Sequence, residues 1–333
     1  MKHILFVLIM SSVAGFLHAE KISVLTTTPD VADITRQVVG DFAEVTSLTT
    51  GREEPHALTA KPSFILRARS ADVWVRVGMD LEVGWESVIL RDARNPNIQV
   101  GASHHIDVSA AILRLDVPTA PVTRDQGDIH PQGNPHYWLD PLNGRLIAET
   151  LARRFAQLYP EQAQRFQINA RRFQNELDVK MFGSAAVETC GGEALWKALL
   201  AHQLDAVAKE KTVSIGGWVA LLKPYSGWSV VTYHRSWLYL LNRFDLRADL
   251  LLEPKPGIPP SAKHLAGLIH EVQQRKQCLI VQEPYYPRKA AERVTNETQI
   301  RLVVVPNMTG GSEEASSYLA MLDGAIQHIA GKQ

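Results

Sequence analysis

Four side chains able to hold a divalent cation stand at comparable places in this sequence. His56 lies in EEPHALTAKPS, His136 in NPHYWLDP, His234 in VVTYHRSW and Glu283 in VQEPYYP. Each sits just beyond a strand-like run or in a strand-to-helix connection, beside a proline or an aromatic ring. Neutral imidazoles with one carboxylate, converging from separate loops, suit a borderline cation such as zinc. Stiff neighbours hold each ring and lower the ordering cost on binding. Any one of these histidines is explained equally well by packing, so the case rests on their shared context.

The remaining histidines lack that context. His202, His264, His270 and His328 fall within helix-like segments and read as surface or packing side chains. His270-Glu271 opens HEVQQ, which lacks the second histidine of an HExxH zinc-protease helix. His104 and His105 are intermediate. So is His130, which with Asp125 and Asp128 in TRDQGDIHPQG offers weak auxiliary metal capture; a solvated loop is the simpler reading.

The elements that must position these groups follow from periodicity and punctuation. Lys21–Thr27 reads as a strand, Pro29 starts a helix that Gly40 stops after Val39, and Phe42–Leu48 alternates like a second strand. Ser63 after Pro62 suits an N-cap for FILRARSA, and Val73–Val77 follows as a strand. The second half repeats the grammar. Ser229–Tyr233 is a strand, Trp237–Arg243 a helix, and PGIPPSAKHLAGLIHEVQQRKQ a Pro-Ser helix leading into the strand Cys278–Gln282. Strands alternating with helices predict α/β architecture on mainly parallel sheets, and open sheets of that kind gather ligand groups at the carboxyl ends of their strands. Between the halves, Pro160–Leu177 is a charged helix with Phe166 and Phe173 at helical spacing. The segment from Phe182 to Gly217 is the least readable, an insertion or a second part of the connecting helix.

Composition bounds the function. With 35 basic and 35 acidic residues the formal charge is zero, which removes the electrostatic case for nucleic acid. The opening MKHILFVLIMSSVAGFLHAE has a short basic start, an apolar run and a small residue before its end, the layout of a secretory signal peptide. Residues 1–19 are expected to be removed, leaving a protein exported to a periplasm. No later run approaches ~18 apolar residues, so no second membrane segment is expected. The rest exceeds one comfortable core, so two lobes are expected. Cys190 and Cys278 could pair in an oxidising compartment, but no C-x-x-C pair suggests a thiolate zinc site.

At this point the chain resembles a known family, the periplasmic solute-binding proteins of zinc and manganese ABC transporters. TTTPDVADITRQVVGD is similar to that family's opening strand and helix, and EEPHALTAKPSFILRARSADVWVRVGMDLEVGW to its first ligand loop and the run after it. GNPHYWLDP resembles the second ligand motif and VVTYHRSWLYLLNRFDL the third, while LEPKPGIPPSAKHL and IVQEPYYP match later landmarks. The resemblance implies two similar α/β lobes joined by one long helix, with a metal in the cleft. The division expected is residues 20–158, a connecting helix at 159–183, and 184–333. His56, His136 and His234 become three ligands by the same resemblance, and three nitrogen donors favour Zn²⁺ over Mn²⁺. The family's frequent fourth ligand, an aspartate, is replaced here by Asn307 in VVVPNMTGG. Glu283 is expected to complete the site, with Glu53, Glu54, Asp140 or water as alternatives, or to orient an imidazole through its ring N–H.

The function implied is capture of Zn²⁺ and delivery to an ABC-transporter permease by a non-enzymatic monomer. A manganese-binding homologue is the alternative within that class, and an accessory protein that donates the metal is a possible further partner. A zinc hydrolase would need a positioned general base and a substrate pocket, and no hydrolase motif is present.

Overall fold

The computed structural model describes residues 21–120 and 130–332. The expected signal segment 1–19, and Asp125 and Asp128, lie outside the described residues.

Strand β1 (Ile22–Thr26), helix α1 (Pro29–Val39), β2 (Ala43–Ser47), α2 (Pro62–Ser70), β3 (Val73–Arg76), α3 (Glu86–Ala93) and β4 (His105–Asp107) build the first lobe. A helical stretch follows: α4 (Pro141–Leu158), α5 (Ala163–Phe182), α6 (Ser184–Cys190), α7 (Gly192–Leu200), α8 (Leu204–Glu210) and α9 (Gly217–Leu222). The second lobe holds β5 (Ser229–Thr232), α10 (Leu238–Arg243), β6 (Arg247–Leu251), α11 (Ala262–Gln273), β7 (Cys278–Gln282), α12 (Lys289–Thr298), β8 (Arg301–Val304) and α13 (Tyr318–Ile329). The sheets run β2-β1-β3-β4 and β6-β5-β7-β8. Every pairing is parallel. One topology is thus used twice, as the repeated grammar implies.

Alternation along the strands decides where the core sits. Val24 on β1 and Val230 on β5 both point into one continuous apolar cluster that also contains Phe155, Phe166, Phe173 and Tyr318. Their neighbours Leu25 and Val231 point the other way, into separate outer clusters under α2 and α3 and under α11 and α12. Successive strand residues face opposite sides, so each short strand contributes to two layers. The 20-residue α5, about 30 Å long, links the lobes and buries Phe166 and Phe173 in the shared cluster.

One local expectation is corrected, and the open question of the cysteines is answered. Ser63 is not the cap of α2: Lys61 is, without a side-chain bond, because Pro62 takes the first helical position. Proline suits that position, since its fixed φ is helical and its missing N–H would be unpaired there anyway. In α11 the capping serine is real, with Ser261 Oγ accepting from the His264 N–H at 3.2 Å. Cys190, half-buried at the end of α6, and Cys278, buried at the start of β7, are both free thiols, so no disulfide links them.

Candidate metal centre

His56 sits in a single 3-10 turn, Pro55–Ala57, between β2 and α2. Glu54 caps that turn, Oε1 accepting from the His56 N–H at 3.2 Å, and Trp85 Nε1 donates to the Pro55 carbonyl at 3.1 Å. The Tyr286 hydroxyl, from the second lobe, donates to the other oxygen of Glu54. His136 precedes the turn Tyr137–Leu139, whose residues are all fully buried. Trp138 Nε1 donates across the lobes to the Asn307 carbonyl at 2.8 Å, which fixes this loop. His234 lies two residues past the end of β5, at the carboxyl end of an inner strand of the second sheet.

The structure brings these three rings together. Each offers one ligand nitrogen, and the three lie within 4.8 Å of one another. His56 Nε2 and His136 Nε2 are 3.2 Å apart. Tetrahedral zinc with Zn–N bonds of 2.0–2.1 Å places its nitrogens roughly 3.3 Å apart, so one edge of the site already has that spacing. His136 is 1% exposed and His234 5%, while the His56 side chain is 8% exposed.

Hydrogen bonds decide which nitrogen faces the centre. An amide oxygen and a carboxylate can only accept, so the contacts of His136 Nδ1 with Asn134 Oδ1 (3.0 Å) and of His234 Nδ1 with Glu253 Oε1 (2.5 Å) place a proton on each Nδ1. Nε2 of both rings then keeps a lone pair for a cation. Burial holds His56 and His136 well below the ordinary imidazole range, and the neighbouring rings add to the effect. Both are therefore neutral near pH 7. Burial acts the same way on His234, but the hydrogen bond and charge of Glu253 outweigh it and hold that ring above the ordinary range.

The carboxylates expected near the site are placed differently from one another. Glu283 is fully buried and lies outside the histidine set. Its Oε1 accepts from the Ser236 hydroxyl and, at 3.4 Å, from Asn307 Nδ2. Its Oε2 has no hydrogen-bond partner among the described residues, and burial raises its carboxyl to about 7. Glu54 Oε1 lies 3.9 Å from His56 Nε2. Glu53 turns back on its own loop, accepting from the N–H groups of Thr50 and Arg52. Asp140 caps α4 and binds Arg243 with both oxygens, at 2.8 and 2.7 Å. His130 lies beside His56, ring centroids 4.8 Å apart and the planes tilted by 31°. Cavities of 410 and 360 Å³ flank the histidines, one lined by His130, His136 and His234, the other by Glu54, His56 and His234.

Glu253 and Asn134 were not singled out from the sequence. Asn134 stands two residues before His136, the spacing at which an Asx side chain bonds its own chain, and its Oδ1 also accepts from the His136 N–H at 2.9 Å. Glu253 in LEPKPG lies just past a strand, the same signal that marked Glu283.

The family model described as zinc-uptake complex component A, periplasmic (ZnuA) matches residues 24–180 and 201–332. The iron-binding protein YfeA of Yersinia pestis is 23% identical over 319 residues, covering 94% of this chain and 86% of that protein. The manganese ABC transporter substrate-binding lipoprotein PsaA of Streptococcus anginosus is 20% identical over 317 residues, 93% of this chain and 89% of its own. A crystal structure of ZnuA shares the fold with a TM-score of 0.68 at 20% identity, covering 94% of this chain and 99% of that one.

Proposed function

We propose a function from a plain premise: the chain belongs to the zinc-uptake complex component A family, the non-enzymatic, metal-binding components of ABC uptake systems. Within that family role, this member captures Zn²⁺ through His56, His136 and His234 and hands it to a membrane permease. The observation that carries the reading is the convergence of three ring nitrogens from three loops. Three imidazole nitrogen donors suit zinc better than manganese, which prefers oxygen. Manganese is the second reading, favoured by the carboxylates of Glu54 and Glu283 beside the triad.

For the fourth position we keep Glu283, whose Oε2 is buried and unpartnered among the described residues. Glu54 is its competitor, supported by its distance to His56. Residues 1–19 serve as the export signal in this reading, and the protein works in the periplasm as a monomer. An accessory metal donor is compatible with the same site. Catalysis on the metal has no part in it, since the family is one of solute-binding proteins.

Thermal unfolding of chelator-stripped protein tests the proposal. A cation present at a hundredfold excess over its Kd stabilises the folded state by roughly 2.7 kcal/mol, so zinc should raise the melting temperature by several degrees. His136→Ala should remove that gain while keeping the far-UV spectrum. A wild-type melting curve unmoved by zinc refutes the proposal, and a larger gain with manganese replaces its metal.

A further inference from the structure

The imidazoles of the triad are held unequally. Behind His136 stands the neutral amide of Asn134, whereas behind His234 stands a carboxylate, that of Glu253. Glu253 is 2% exposed, and its Oε2 accepts from the Gly257 N–H at 3.0 Å. The loop that supplies this second bond is stiff: Pro254 and Pro256 flank Lys255, and Gly257 adopts φ +78°. Few residues but glycine take that conformation easily. A buried carboxylate is costly unless its charge is compensated, and here both oxygens are held in place, one of them against the ring of His234.

We infer that Glu253 is the positioning and specificity-determining residue of this centre, fixing the His234 ring and strengthening its preference for zinc. The inference rests on the triad being the metal site. An anionic acceptor on Nδ1–H fixes the tautomer and makes the opposite nitrogen a stronger donor, which a neutral amide does less. It also supplies negative charge directly behind one of the imidazole donors, where the low dielectric magnifies the effect. Zinc gains more from a strong nitrogen donor than manganese, which stands at the weak end of the divalent series. The carboxylate thus discriminates between cations without touching either.

The test compares wild type, Glu253→Gln and Glu253→Asp, all stripped of metal, by competition titration against a chromophoric chelator with Zn²⁺ and Mn²⁺ separately. Glutamine keeps the shape but removes the charge. It should lower zinc affinity about 10–100-fold and manganese affinity less than about threefold, a split that a general loss of stability would not produce. The visible spectrum of the Co²⁺ form should shift as the donor weakens. Aspartate, which keeps the charge, should recover most of the zinc affinity. Zinc affinity within about threefold of wild type in Glu253→Gln overturns the inference. So does an equal loss for both metals accompanied by a lower metal-free melting temperature, the mark of a residue that only supports the fold. If Glu253→Gln fails to fold, Glu253→Asp decides, a shared loss of both metals again overturning the inference. A wild type that binds no zinc is a separate outcome, because it removes the triad reading and this inference together.

Discussion

Removing the charge of Asp30 should flatten the pH dependence of stability. Asp30 is fully buried in the first turn of α1. Its Oδ1 accepts from Thr309 N (2.8 Å) and Oγ1 (2.9 Å) across the seam between the lobes. Its Oδ2 has no hydrogen-bond partner among the described residues. Burial raises this carboxyl from 3.8 to about 7, more than the Thr309 bonds can offset. The folded protein therefore holds the proton more tightly than the unfolded chain. Its stabilising contribution is complete below about pH 4 and is lost as pH rises to about 7. At 1.36 kcal/mol per pH unit the loss is about 4 kcal/mol, an order-of-magnitude figure. Asp30→Asn keeps the accepting oxygen and removes the ionisation. Any cost of its unpaired NH₂ group is independent of pH, so the informative quantity is the change in the difference between variant and wild type. Urea unfolding of metal-free protein between pH 4.5 and 8, followed by the fluorescence of its seven tryptophans, measures it. Glu82, raised by burial to about 8, and Glu283 also titrate there, but they are common to both proteins and cancel. The variant should gain about 3 kcal/mol relative to wild type across that range, the rest of the effect lying below pH 4.5. A difference that stays constant with pH refutes the reasoning.

Three further outcomes follow from the same geometry. Gly144→Ala on α4 would place its Cβ 2.5 Å from the hydroxyl and 2.8 Å from the ring of Tyr318, which is fully buried, so urea unfolding should show a loss of about 1–3 kcal/mol. An unchanged midpoint would contradict this packing. Zinc affinity should fall as pH drops, because a cation and a proton compete for each ring: His234, held above the ordinary range, protonates first, and His56 and His136 follow only in more acid solution. Chelator competition at several pH values checks this, and a flat profile would exclude histidine ligands. In the native protein a thiol reagent should label Cys190 readily and Cys278 slowly, since burial pushes the Cys278 thiol up to about 11. Both should react once the chain is unfolded, and failure of both under non-reducing denaturation would mean a disulfide.

How much of this was legible in the sequence depended on how local the cause was. The strands around Val24 and Val230 are short runs with clear stops, and the helix at Phe166 and Phe173 keeps its period, so local pattern sufficed. The three histidines were legible because each stands at a strand end or in a stiff loop. Asn134 and Glu253 were not, because the ring nitrogen each one binds is set by tertiary placement: Glu253 reaches His234 only because β6 lies beside β5. The short helices α6 to α8 pack largely against α5 and one another, and their boundaries fall at Gly183, Gly191 and a left-handed turn at His202. That turn also corrects the reading of His202 as helical.

The seam bears on how a cation reaches the triad. Val24 and Val230 belong to different sheets but to one apolar cluster, so parting the lobes would open the core itself. It would also break the Trp138–Asn307 bond, the 2.6 Å bond from Tyr318 to the Trp138 carbonyl, and the Asp140–Arg243 pair. Each large apolar side chain exposed costs about 1.5–3 kcal/mol, and a buried ion pair broken costs about 3–5 kcal/mol. Cavities already flank the triad on both sides, so movement on the scale of a loop is the cheaper route. The three rings differ in what such movement costs. His136 is tied into the core through Asn134 and the buried turn after it, and His234 is held by Glu253. His56 stands on a single 3-10 turn fastened by Glu54 and one indole bond, and it borders solvent. Of the three rings, it is the one that costs least to move.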